Sequence, residues 1–304
     1  MDGLFAHSLL VVTGKGGVGK STVAAALGLA ADRRGLRTIV VEVAARDDLS
    51  RALGKSDAAD TYAERAVSDR LHHISIDPQR AMEEYLRQEL PIGALAALLA
   101  RSRVFTALSA ATPGMRELLT VGKVWELAQP KRRNRGSRPY DLVVLDAPAT
   151  GHGLAMLQAP RTFASVARVG PVAKQGRAVA SFLADPRRTA VLAVSTAEEM
   201  PVAETLELRA RLHEQLGLEL SLAVVNAVVP HRFSDADERT LRAAPPSPAR
   251  HAALFAATWA RHQRKHISIL RRGLRGVPLV TLPYVFESAL DAAALERLSR
   301  ELAR

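Results

Sequence analysis

No cysteine occurs in the 304 residues. Disulfides, thiolate-held iron–sulfur clusters and thiolate sites for zinc or arsenite are therefore excluded. Aromatic residues are scarce as well, at 4%, whereas single-strand nucleic-acid binders interleave stacking aromatics with basic side chains. Lysine is nearly missing among the cations, with seven Lys against 35 Arg. A chain rich in Arg and Ala and poor in Lys resembles the product of GC-rich codons, which accounts for the net charge of +11 without a polyanionic partner. One dense run, Lys131–Arg138, is expected to be a solvated loop and not a binding patch. No apolar stretch approaches the roughly 20 residues needed to cross a bilayer, Ile92–Ala100 being about half that. Met1–His7 shows neither a basic n-region nor a separate apolar h-region. The expectation is a soluble, cytoplasmic protein with no transmembrane segment and no nucleic-acid partner.

Hydrophobic residues make up 48% and charged residues 24%, which is ordinary globular usage. Short β-branched or Leu-rich runs read as buried strands: Ser8–Thr13, Thr38–Val43, Asp141–Asp146, Ala190–Ser195, Leu220–Asn226 and Pro278–Leu282, with Leu71–Ile76 a candidate seventh. Helical periodicity fills the gaps, most clearly at Ser21–Arg33, Pro201–Leu216 and Ser288–Leu302. Alternating strands and helices predict an α/β fold, a doubly wound and mostly parallel sheet. About 60 residues separate Ile76 from Tyr140, where a simple crossover needs about 30. The chain is thus expected to be one domain over 1–304, with an added helical layer from insertions at about 77–130, 158–184 and 235–272.

The strongest local signal is Gly14-Lys15-Gly16-Gly17-Val18-Gly19-Lys20-Ser21-Thr22, directly after the first strand and opening the first helix. It satisfies G-x-x-x-x-G-K-[ST], the nucleoside-triphosphate loop known as the P-loop. Glycines let backbone N–H groups curl around an anion, and the helix N-terminus adds partial positive charge. In this pattern Lys20 contacts the β- and γ-phosphates, and the Ser21 hydroxyl ligates Mg²⁺. Asp146, at the carboxyl end of a parallel strand, is the candidate carboxylate that holds a Mg²⁺-bound water.

Lys15 is not required by the ordinary motif. With it the loop resembles the deviant Walker A class, in which two subunits face each other across their nucleotides and a signature lysine reaches the partner's phosphates; read alone, Lys15 is an exposed loop lysine. The run Asp146-Ala147-Pro148-Ala149-Thr150-Gly151-His152 is similar to the second switch of the arsenite-pump and tail-anchored-protein-targeting ATPases. Ile76-Asp77-Pro78 leading to Glu84-Tyr85, Pro113–Glu117, Val224-Val225-Asn226 and Val280-Thr281-Leu282-Pro283 resemble the same family. The chain is identified as a short, single-copy member.

That resemblance implies a P-loop ATPase that binds ATP, ADP and Mg²⁺ and works as a homodimer or a heterodimer with a paralogue. It implies that Lys15 and Lys20 contact phosphates, that Asp146 holds Mg²⁺ through water, and that Asn226 hydrogen-bonds adenine with Pro283 beside the base. Asn226 also reads as a turn residue at a strand end. Where relatives open their first switch with an Asp that orients the attacking water, this chain has Glu42; Asp47 and Asp48 are alternatives, equally readable as a helix N-cap. Without cysteine, the zinc clip of the eukaryotic targeting enzymes cannot form, so neither zinc nor an iron–sulfur cluster is expected. A hydrophobic or membrane-protein client is one implied role, using Leu90, Ile92, Leu95, Leu98, Leu99, Val104, Phe105 and Leu108, with Val166, Val169, Val172 and Phe182. These stripes read equally as core packing. Other roles are a positioning ATPase of the kind that partitions DNA or cell-division machinery, and a nucleotide-binding regulatory subunit of a paralogue.

Overall fold

The computed structural model describes residues 2–43, 52, 60–89, 112, 114–132, 137–166, 170–287 and 290–303. Among the described residues eight strands form one sheet: β1 (Leu9–Gly14), β2 (Thr38–Val43), β3 (Arg65–Ala66), β4 (Leu71–Ile76), β5 (Leu142–Asp146), β6 (Thr189–Thr196), β7 (Leu220–Val228) and β8 (Leu279–Pro283). Their order across the sheet is β3-β4-β2-β5-β1-β6-β7-β8. Every pairing is parallel except that of the two-residue edge strand β3 with β4. The α/β expectation holds, and Leu71–Ile76 is a strand as suspected.

Side chains alternate between two cores, as period-2 strands require. On one face Leu10, Val12, Val40, Val144 and Leu192 pack under α1 (Lys20–Arg33) and α9 (Ala292–Glu301). On the other, Leu9, Val11, Val41, Leu145 and Ala193 meet Val121 and Val124 of α3 (Met115–Leu127), Leu154 of α4 (Thr150–Val166), Phe182 of α5 (Pro171–Ala184) and Leu212 of α6 (Glu199–Leu216). Helices thus cover both faces, which is why the central strands read as unbroken apolar runs. Of the proposed client-binding stripe, Phe182 is a buried core residue; the other positions, or their side chains, lie outside the described residues.

Two long helical segments divide differently from expectation. The insertion expected at about 158–184 contains the end of α4 and all of α5, divided at Gly170-Pro171, with Pro171 opening the second helix. The segment from Asp235 splits into α7 (Asp235–Ala243) and α8 (Pro248–Gly273). Ser234 and Asp237 form a reciprocal capping box on α7, and Ser247 caps α8 ahead of Pro248.

The basic run is corrected at one residue. Arg132 is 8% exposed, not solvated. Its guanidinium donates to Glu64 at 2.6 and 3.2 Å and to Glu126 at 2.9 Å. Lys123 of α3 joins Glu126 at 3.0 Å and Glu84 of α2 (Pro78–Glu89) at 2.9 Å. The Tyr140 and Tyr62 hydroxyls donate to Glu64 and Glu84. This network ties α2 and α3 to the sheet edge beside a cleft of about 770 Å³. The cleft lies by Arg37, His72 and Tyr140, at the amino ends of β2, β4 and β5, away from the glycine loop.

Candidate functional site

The glycine loop leaves the carboxyl end of β1, where crossovers diverge to the two halves of the sheet; α/β folds place ligands at such a point. Two glycines are needed there for different reasons. Gly14 adopts φ +148°, and a Cβ would stand 2.2 Å from the Val194 carbonyl oxygen on β6. Gly19 adopts φ +88° and caps α1; its Cβ would stand 2.2 Å from Asn226 Nδ2. Between them Gly16 and Gly17 are exposed, while Val18 is buried and anchors the loop. The opening N–H groups of α1 and its partial positive charge face this loop, an arrangement that favours an anion.

Several predicted site residues meet at this loop, from the ends of β1, β5 and β7. Lys20 folds back over the loop, and its Nζ donates to the Lys15 carbonyl at 2.9 Å. Ser21 Oγ donates to Asp146 Oδ2 at 2.6 Å. Asp146 ends β5 opposite Val12 of β1, and the Ala147 N–H donates to the Val12 carbonyl at 2.9 Å. Thr22 follows in the first turn of α1. Asn226, on β7, donates from Nδ2 to the Val18 carbonyl at 3.0 Å, so its carboxamide braces the glycine loop. Pro283 ends β8, aligned with Val228 of β7. Thr150, Gly151 and His152, read as a switch, open α4.

Two residues sit otherwise than their motif suggests. The Lys15 ammonium forms an ion pair with Glu204 of α6, within the same chain. Glu42 is 1% exposed and points into the sheet face covered by α1. Its carboxylate accepts from His73 Nε2 at 2.8 Å, and the other imidazole nitrogen lies 3.3 Å from Arg65 Nη2. A proton on Nε2 satisfies both contacts, since the guanidinium can only donate. Asp47 and Asp48 lie outside the described residues.

Sequence reasoning missed the ties that hold the loop from behind. Gln263 of α8 bonds the backbone just past Asn226, and Glu204 meets Lys15; both connect positions far apart in sequence. The only available signal for Gln263 was a polar residue on the apolar stripe Ala257, Ala260, Ile267 and Leu270.

Gly19→Ala should abolish high-affinity ATP binding in a protein that still folds, because the new methyl must displace both the Asn226 amide and the left-handed cap. Titration calorimetry with ATP checks this; wild-type affinity would show that the loop does not need that glycine.

The sequence profile described as "Anion-transporting ATPase" matches residues 7–174 and 164–304. Among curated relatives, ATPase BagA of Mycobacterium tuberculosis is 31% identical over 233 residues, covering 75% of this chain and 67% of that protein. The arsenical pump-driving ATPase of Acidiphilium multivorum is 26% identical over 314 residues, covering 95% of this chain. This chain spans about half of that pump-driving relative, 48% of its length. With the profile covering nearly every residue from 7 onward, the chain belongs to the anion-transporting ATPase family, enzymes that hydrolyse ATP.

Proposed function

We propose that this protein is a Mg²⁺-dependent ATPase whose nucleotide lies between two subunits, so that binding and hydrolysis open and close the pair. The observation that carries the reading is the 2.6 Å contact of Ser21 with Asp146 at the foot of the glycine loop. A hydroxyl and a carboxylate are hard oxygen donors suited to Mg²⁺. The loop above them has no Cβ at the positions where one would collide. Ser21 would hold the ion directly and Asp146 through water, where Mg²⁺ supplies neutralisation of the charge that develops on the transferred phosphoryl group.

The chain's own groups do the rest. The loop N–H groups from Gly16 to Thr22 cradle the phosphates, and Lys20 swings from the Lys15 carbonyl to the β- and γ-oxygens. Adenine lies between the ends of β7 and β8, at Asn226 and Pro283. Lys15 leaves Glu204 and reaches the nucleotide of the partner, a second copy or a paralogue. The cycle serves a hydrophobic or membrane-protein client. Arsenite is not the proposed cargo, because no thiolate exists to bind it.

A second reading concerns turnover. The burial of Glu42 against His73 favours a slow intrinsic rate, with this chain regulating a paralogue that supplies its own water-orienting carboxylate.

Light scattering tests the subunit sandwich. With Mg²⁺ and a non-hydrolysable ATP analogue the mass should double relative to Mg²⁺–ADP at equal protein concentration. A monomer in both would exclude the homodimer and turn the search to a paralogous chain.

A further inference from the structure

The end of β7 is irregular in a way that the ladder does not require. Its pairing with β8 shifts register between Val225 and Val228. Within that shift Ala227 takes φ 57°, the one non-glycine residue with positive φ among the described residues. An L-residue with a Cβ is disfavoured there, and such conformations persist only where neighbouring groups over-determine them. The neighbouring group is Gln263 on α8. It is 3% exposed, and its Nε2 donates to the Ala227 carbonyl at 2.9 Å while its Oε1 accepts from the Val229 N–H at 2.8 Å. Both ends of one carboxamide thus clasp the backbone on either side of Val228. The Val228 carbonyl in turn accepts from the Tyr284 N–H at 2.9 Å, directly after Pro283.

On the other side of the strained alanine stands Asn226, whose amide braces the Val18 carbonyl and occupies the space that a Gly19 side chain would need. A continuous chain therefore runs from Gln263 through Ala227 and Asn226 to the phosphate loop. If Ala227 relaxed to an ordinary extended conformation, the peptide following Asn226 would turn and its carboxamide would leave Val18.

We propose that Gln263 is a positioning residue of the nucleotide site: by clasping Ala227 and Val229 it holds the left-handed turn that aims Asn226 at the phosphate loop. The inference rests on the reading of Gly14–Thr22 as the ATP site and assigns that site a support contributed by α8. Gln263 acts through Asn226 and does not itself touch nucleotide.

Four proteins test it: wild type, Gln263→Glu, Gln263→Ala, and Gln263→Ala combined with Ala227→Gly. The glutamate variant keeps size and the acceptor for Val229 but cannot donate to Ala227. ATP dissociation constants come from calorimetry well below each melting temperature, with KM and kcat measured alongside. Loss of one buried hydrogen bond in the glutamate variant predicts about tenfold weaker ATP binding, and loss of both in the alanine variant at least as much, with a parallel rise in KM and a kcat within about twofold of wild type. Glycine adopts the left-handed turn unaided, so the double variant should recover most of the affinity even if its melting temperature stays low. Wild-type affinity in folded Gln263→Glu and Gln263→Ala would overturn the proposal and leave Gln263 a stability residue. So would weakened binding that Ala227→Gly fails to restore. Absence of ATP binding by the wild type would instead overturn the parent reading of the loop.

Discussion

Lys15→Ala is expected to lower kcat by about 10³-fold while leaving the KM for ATP nearly unchanged. The magnitude follows from the trans-acting arginine fingers of nucleotide hydrolases, which stabilise charge that appears only in the transition state. The ground state argues the same way. Lys15 is spent on Glu204 of its own chain and not on the phosphate loop, so its removal should hardly disturb the first binding event. The ion pair is no obstacle to release: both side chains are 30% exposed, and exposed pairs contribute about 0–1 kcal/mol. A partner's triphosphate offers the ammonium a stronger site than one carboxylate. Steady-state ATPase assays decide the matter, and mixing supplies a sharper control. Lys15→Ala subunits mixed with subunits carrying Gly19→Ala should recover activity, since each lacks what the other provides across the interface. An unchanged kcat in Lys15→Ala would exclude the lysine from the reaction and with it the two-subunit mechanism.

The glycine loop and the elements that flank it were legible because their determinants are local. Nine consecutive residues specify a loop, a helix start and a cation, and the preceding apolar run specifies the strand that presents them. Asp146 was legible for a related reason, as a carboxylate ending a buried strand. What could not be read is set by distance along the chain. Asn226 meets Val18 only because β7 lies two places from β1 in the sheet, and nothing in either segment encodes that contact. The break at Gly170-Pro171 was written in the sequence, as the glycine and proline flank a helix start, but periodicity bridged it. The two residues of β3 are too few to show a period. Glu42 was read as a switch carboxylate because relatives carry an Asp there, at the end of the strand Thr38–Val43; what the sequence did not show is that in β2 it alternates with Val41 and Val43 so that it faces α1 and His73.

Arg132 shows the same limit most sharply, and its replacement carries the largest expected effect on stability. By composition it is one cation in a solvated run; in the fold it holds Glu64 and Glu126 together at the sheet edge. Three carboxylates, those of Glu64, Glu84 and Glu126, share two buried cations, Lys123 and Arg132. Arg132→Ala removes one of these two cations, and breaking a buried ionic cluster in this way costs about 3–5 kcal/mol. That is a large fraction of the roughly 5–15 kcal/mol by which domains are stable. Arg132→Lys should fall between, because a single ammonium cannot reproduce the fork that engages Glu64 through two nitrogens. The effect should depend on pH with a definite sign. Burial alone would raise the Glu64 and Glu126 carboxyls, but Arg132 and Lys123 together, with the Tyr140 hydroxyl on Glu64, outweigh it and hold both below their ordinary value of 4.5. Carboxyls lowered in the fold contribute stability above that value and lose it as pH falls through their folded range. Urea unfolding should therefore show a wide gap between wild type and Arg132→Ala at pH 7 that narrows as pH falls below 4.5 and through the lowered range of the wild-type carboxyls. A gap of equal size at both pH values would mean that Arg132 stabilises by packing on Tyr140 and not through its charge.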